Sequence, residues 1–210
     1  MDILSVFPAA LWRMGPCDSI GKGIVYLVVC LSVYSANEIS ARRIQNDLQH
    51  KKMEDLASAI SNKKVQENLR DGLPYPYTEQ DGTAYISAML SADENETFSF
   101  AITAEGNVIG SIGVFRQGNI HRRTAELGYY IAEEYWGKGI MTEAVKQICR
   151  YVFDKSDIVR IYAEPFAHNA ASCRVLEKAG FQYEGTLRHN AVKNGNILDM
   201  KMYSLLKTDI

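Results

Sequence analysis

Apolar positions along the chain change period at one place, between residues 125 and 153, and the strongest predictions come from there. Ala125 to Ala132 is an aliphatic and aromatic run and predicts a strand. Further on, Ala144, Val145, Ile148, Cys149, Val152 and Phe153 recur at helical spacing, while Glu143, Lys146, Gln147 and Arg150 fill the opposite face. Asp157 to Glu164 predicts a second strand, so strand, helix and strand imply a right-handed crossover with the two strands parallel. His168 to Phe181 predicts another helix, with Asn169 as N-cap and Gly180 as its stop.

Two hairpins flank this unit. Thr97 to Thr103 and Val108 to Phe115 alternate or run apolar around Glu105-Gly106-Asn107, and Thr186 to Val192 and Asn196 to Leu206 enclose Asn194-Gly195. Upstream, Glu38 to Ile44 predicts a first strand, and Leu48 to Leu69 fits one or two helices with Met53, Leu56, Ala57 and Ile60 on one stripe. The prolines of Asp71 to Thr78 break that pattern before helical spacing resumes from Thr83 to Leu90. Tyr75 and Tyr77 on this loop suit either rim packing or the wall of a pocket. The apolar run Ile24 to Val33 falls short of the ~20 residues of a membrane-spanning helix. It reads as a buried strand or a partner-binding segment. A secretory signal ranks below these, because Asp2 is acidic and the run begins late. The expected organisation is an N-terminal extension over residues 1–36 and one domain over 37–210.

Composition narrows the functional classes. A chain of 210 residues, 47% of them hydrophobic, can bury one good core. A formal charge of −2 gives no electrostatic footprint for nucleic acid. Cys17, Cys30, Cys149 and Cys173 are scattered and the histidines do not cluster, so neither a metal site nor a disulfide framework is expected. A reducing, cytoplasmic setting with no membrane partner is the simplest reading.

Candidate chemistry centres on Trp136-Gly137-Lys138-Gly139-Ile140-Met141, where a helix begins. There the first N–H groups lack intrahelical acceptors and the macrodipole is positive, which suits a phosphate. An ordinary turn with glycines at unusual backbone angles reads equally well from these residues alone. A P-loop would need Gly-Lys-Ser/Thr, and a dinucleotide loop a third glycine where Thr142 stands, so neither fits.

The same segment resembles the Gln/Arg-x-x-Gly-x-Gly/Ala loop of the GCN5-related N-acetyltransferases (GNAT), with Trp136 in place of the Gln/Arg and Met141 in place of the small residue. Asn169-Ala170-Ala171-Ser172 followed by Gly180-Phe181 resembles that family's second motif, closest to the branch that acetylates the amino termini of ribosomal proteins. The resemblance covers roughly Glu38 to the C-terminus. It implies an α/β, mixed α+β fold: a central, mainly antiparallel sheet splayed between two parallel strands and flanked by helices.

The resemblance also implies a site. Tyr130, Ile131 and Ala132 would offer backbone groups to the pantetheine arm of acetyl-CoA; Gly137, Lys138, Gly139, Ile140, Met141 and Thr142 would take its pyrophosphate, with the Met141 side chain turned away; and Asn169 would reach the cofactor with its side-chain amide. Glu126 is the candidate base toward the amine, the other reading being a surface carboxylate paired with Arg122 or Arg123. A backbone N–H near Ile131 would serve the oxyanion. The family's helix tyrosine, the acid toward sulfur, is replaced by Leu176. Ser172 is then the candidate for the thiol, the alternative being a first-turn residue bonded to backbone. Cys173 would face elsewhere. The implied acceptor is a protein or peptide N-terminus; a small amine is the alternative, and a non-catalytic acyl-CoA-binding module the rival from another class. A homodimer is possible, since an exposed Ile24 to Val33 strand invites self-association.

Overall fold

The computed structural model describes residues 26–28, 57–90, 96–104 and 107–210. The expected strand Glu38 to Ile44 lies outside them. The strands are β1 (Tyr26–Val28), β2 (Thr97–Ala104), β3 (Asn107–Arg116), β4 (Thr124–Ile131), β5 (Arg160–Ala163), β6 (Gln182–Lys193) and β7 (Asn196–Leu206). Among the described residues they form one sheet in the order β1-β2-β3-β4-β5-β7-β6, in which β4 and β5 pair in parallel and the other neighbours antiparallel. The helices are α1 (Lys63–Gln66), α2 (Glu79–Leu90), α3 (Ile140–Lys155) and α4 (Ala170–Ala179). Part of the N-terminal apolar run, Tyr26 to Val28, therefore pairs with β2 as a strand.

The crossover unit follows the hydrophobic pattern closely. α3 buries Ala144, Val145, Ile148, Cys149, Val152 and Phe153, the stripe read from the sequence, together with Met141. These pack with Ala125, Leu127 and Ile131 of β4 and with Cys173, Leu176 and Ala179 of α4 in the main core. A smaller cluster on the other face gathers Tyr130 and Ala132 with Ala57, Ile60, Val65 and Tyr77. Alternation along β4 thus sends successive side chains to opposite cores.

Several boundaries differ from expectation for local reasons. β5 is shorter than Asp157 to Glu164: Ser156 and Asp157 are held by side-chain bonds to Ile158, Arg116 and Arg123, and Pro165 follows Glu164 at the other end. The long helical pattern ending at Leu69 is interrupted at Ser61-Asn62. Asn62 caps α1 by accepting from Lys64 N–H at 2.8 Å, and Ser61 exchanges two 3.1 Å bonds with Tyr77. Asn194 and Gly195 both take positive φ in the β6–β7 turn, as an Asn-Gly hairpin requires.

The feature that positions everything else is the brevity of the β4–β5 ladder. It runs for three rungs, Thr124 with Arg160, Ala125 with Ile161 and Glu126 with Tyr162. Beyond Glu126 the strands part, and β4 continues for five residues paired with β3 alone.

Candidate active site

A cleft of about 960 Å³ opens where β4 and β5 separate, bounded by the glycine turn, the first turn of α3, the start of α4 and the segment after α1. Backbone groups of β4 alternate in direction. Thr124 and Ala132 bond toward β3, through Gln117 N–H to Thr124 carbonyl at 2.9 Å and Ala132 N–H to Ile109 carbonyl at 2.8 Å. Arg123 bonds toward the β5 side, accepting from Val159 N–H at 2.9 Å. The N–H and C=O groups of Leu127, Tyr129 and Ile131 consequently face the gap, and those of Tyr130 and Ala132 face β3. Of the three backbone positions expected to meet pantetheine, Ile131 is the one directed into the cleft.

The turn itself has the geometry an anion requires. Gly137 and Gly139 have φ of 74° and 79°, in the left-handed region that glycine enters without strain. Glu143 N–H bonds Gly139 carbonyl at 3.2 Å, closing the first turn of α3. The N–H groups of Ile140, Met141 and Thr142 stand before it without intrahelical acceptors. The Met141 side chain is buried in the main core, so the bulk at this position turns away from the cleft. Trp136 donates its indole N–H to the Ile131 carbonyl at 2.9 Å, tying the turn to the end of β4. Lys138 lies outside the cleft lining; its ammonium sits 5.0 Å from the Tyr135 ring centroid. Ala132 is also outside the lining, whereas Tyr130, Ile131, Gly137, Gly139, Ile140, Met141, Thr142 and Asn169 are within it.

On the α4 side, Asn169 Oδ1 accepts from Ser172 N–H at 3.1 Å, leaving the side-chain amide as the group able to donate. Ser172 Oγ lies 2.8 Å from the Tyr129 hydroxyl, which also reaches the Ser172 carbonyl at 3.3 Å. Burial holds the Tyr129 phenol well above its ordinary range, so it keeps its proton. Leu176 is fully buried and Cys173 lies in the core, away from the cleft. A tyrosine hydroxyl is nevertheless present beside Ser172, supplied by a strand rather than by the helix.

On the opposite wall, Glu126 is paired with Arg70 and not with Arg122 or Arg123. Arg123 instead donates to the Asp157 carbonyl at 2.8 Å, and Arg116 Nη1 donates to the Arg122 carbonyl. Arg70 Nη2 also lies 3.5 Å from Glu164 Oε2. Glu126 and Tyr162 face each other across the last parallel rung, and Glu164 follows two residues later. Burial, then the Glu126 and Glu164 charges, pushes the Tyr162 phenol up to about 12. Burial and the charge of Glu126 raise the Glu164 carboxyl, and Arg70 opposes them. Arg70, Tyr129 and Glu164 escaped the sequence reading. A carboxylate at the exit of β5, on the last residue before Pro165, was the available signal for Glu164. Tyr75 is exposed and Tyr77 is buried in the smaller cluster, and neither lines the cleft.

Comparison with known proteins agrees with this architecture. Residues 44–182 match the acetyltransferase (GNAT) domain family, and the chain belongs to it. It is 37% identical over 120 residues to the probable N-acetyltransferase YjcK of Bacillus subtilis, a match spanning 57% of this chain and 66% of that relative's length. Two solved structures share the fold at 22% identity. The ribosomal-protein-S5-alanine acetyltransferase from Vibrio fischeri aligns with a TM-score of 0.67, over 76% of this chain and 90% of that one. The spermidine N-acetyltransferase from Vibrio cholerae, solved with CoA and spermine, aligns with a TM-score of 0.63, over 75% and 91%.

Proposed function

We propose that the protein is an acetyl-CoA-dependent N-acetyltransferase in which the amine attacks the thioester directly, without an acyl-enzyme. The observation that carries this reading is the parting of β4 from β5 immediately before a glycine turn that opens a helix, with a carboxylate on one wall and a hydroxyl pair on the other. The β4 backbone groups that face the gap, the Ile131 carbonyl excepted because Trp136 holds it, suit an extended, amide-bearing arm, as an added strand would be held. The turn supplies N–H groups for a diphosphate.

The reaction needs a deprotonated amine, a stabilised oxyanion and a protonated leaving thiolate. Glu126 takes a proton from the arriving ammonium. Nitrogen then forms its bond to the carbonyl carbon, the Ile131 N–H supports the negative oxygen, and the C–S bond breaks as Ser172 supplies hydrogen-bonding to sulfur. Amide, thiol and one proton released to water complete the balance. Membership of the GNAT family supports this reading, as do the relatives' names.

The acceptor we propose is a protein or peptide N-terminus, supported by the second motif's likeness to the ribosomal branch and by the Vibrio fischeri neighbour. The spermidine acetyltransferase neighbour and the acidic wall favour a small amine as the second reading. Release of free thiol, measured over peptides with different first residues and over polyamines, separates the two. Tight acetyl-CoA binding with no thiol release from any amine would instead identify a non-catalytic acyl-CoA module.

A further inference from the structure

We propose that Arg70 holds the place of the acceptor's cation: its guanidinium lies between Glu126 and Glu164, the acceptor ammonium displaces it, and the two carboxylates together receive the amine's proton. This rests on the acyltransferase reading above, which it deepens on the acceptor side.

The geometry is specific. One guanidinium nitrogen, Nη2, is paired with Glu126 Oε1 and stands 3.5 Å from Glu164 Oε2. Both carboxylate side chains are about four-fifths buried, at 20% and 19% exposed, whereas Arg70 is 44% exposed. The cation is thus the most solvent-facing of the three, reaching in to a carboxylate on β4 and one just past β5. Its backbone lies just beyond α1, in the irregular stretch that leads to Pro74 and Pro76. Nearby bonds fix that stretch and not the guanidinium: Gln66 Nε2 donates to the Pro74 carbonyl at 3.1 Å and Lys193 Nζ pairs with Asp71 at 2.7 Å. Asn62 and Lys64 both hold Glu133, in the turn after β4.

Two carboxylates sharing one cation cannot both remain charged at no cost when that cation leaves. Displacing Arg70 removes the charge that holds the Glu164 carboxyl down, just as an ammonium arrives with a proton to give. Beside the pair stands Tyr162 on β5, which stays protonated, and the other titratable groups lining the cleft include Tyr129, Tyr135, Glu143, His168, Arg174 and Lys178. The acceptor that fits is a primary amine presenting its charge at the reacting nitrogen. An anionic group beside the amine meets repulsion from both carboxylates. One proton passes from nitrogen to the carboxylate pair, the nitrogen lone pair forms the new bond to carbon, the C–S bond electrons leave on sulfur, and the second nitrogen proton passes to that sulfur, giving amide and thiol.

The test uses the full chain with Arg70→Ala, Glu164→Gln, Glu126→Gln and the Arg70→Ala/Glu164→Gln double variant, with spermidine and alanine amide as acceptor probes. Arg70→Ala should lower the KM of whichever probe is turned over by about threefold to tenfold, and the double variant should lose that gain. A raised KM in Arg70→Ala would overturn the proposal, because Arg70 would then be recognising the acceptor. Titration of Glu164 by carboxyl-carbon NMR needs no turnover. Its midpoint should move up in Arg70→Ala and down in Glu126→Gln, and no movement in either would also overturn it. Acetyl-CoA affinity by calorimetry should stay unchanged in all four; loss of binding in the unsubstituted protein would sink the acyltransferase reading instead and is seen separately.

Discussion

The two walls of the cleft are built on different principles. The wall proposed for the diphosphate is made of backbone: residues 137 and 139–142, two glycines with positive φ, and a helix end. The wall proposed for the acceptor is made of side chains from residues 70, 126 and 164, brought together from a loop, a strand and a strand exit. A wall of contiguous amides tolerates changes of side chain, which is why Trp136 and Met141 can replace the resemblance's expected residues. Trp136 turns its indole N–H to good use on Ile131, and Met141 hides in the core. A wall of converging charges tolerates few changes, because the charges of Glu126 and Arg70 both act on the Glu164 carboxyl.

That contrast is open to direct attack. The largest effect should come from Glu126→Gln, which should lower kcat/KM about 100-fold by removing the proton acceptor while leaving acetyl-CoA affinity intact. Parallel loss of acetyl-CoA affinity would mean the two walls are not separable. Gly139→Val should do the reverse, weakening acetyl-CoA binding by about tenfold in calorimetry, since a β-branched residue at φ 79° costs about 1–3 kcal/mol. Unchanged binding would remove the turn from the site. Tyr129→Phe should lower the rate of thiol release by about fivefold, the worth of one hydrogen bond to Ser172, with little change in amine KM. A wild-type rate would leave that hydroxyl pair a packing feature.

The smallest effect concerns neither wall and serves as a control on the scaffold. Arg160 on β5 grips Glu184 on β6 through two bonds of 2.7 and 2.6 Å, and Ser204 adds a third at 2.7 Å. These partners lower the Glu184 carboxyl to about 2. A depressed folded-state value contributes stability that is complete above the unfolded value of 4.5 and is lost as pH falls toward 2. Glu184 is 39% exposed, so solvent screening keeps the contribution below about 1 kcal/mol. Acid unfolding followed by circular dichroism should show a shallower slope between those pH values in Glu184→Gln, with acetyl-CoA binding at neutral pH unaltered.

How much could be read from the sequence follows the same division. α3, α4 and both hairpins announce themselves because their signals are local: a 3.6-residue stripe, the Asn169 cap, the Gly180 stop and Asn194-Gly195. The glycine turn is local too, and its neighbours were legible with it. Arg70 and Glu164 were not, because nothing within a few residues of either indicates that strand register will bring them to Glu126. Tyr129 was overlooked for a related reason. A strand tyrosine reads as packing until a helix from elsewhere in the chain sets a serine against its hydroxyl. Backbone direction on β4 required the observed ladder, since alternation can be counted only once one bond is fixed.

The short parallel ladder has a further consequence. Exposed strand edges ordinarily sit at the rim of a sheet, where any passing chain can add to them. β4 carries its unfinished edge in the interior of the sheet, between β3 and β5, where the cleft is the way in. The fold thereby places an open edge where a guest must enter between two strands to reach it, and not along the sheet's outer border.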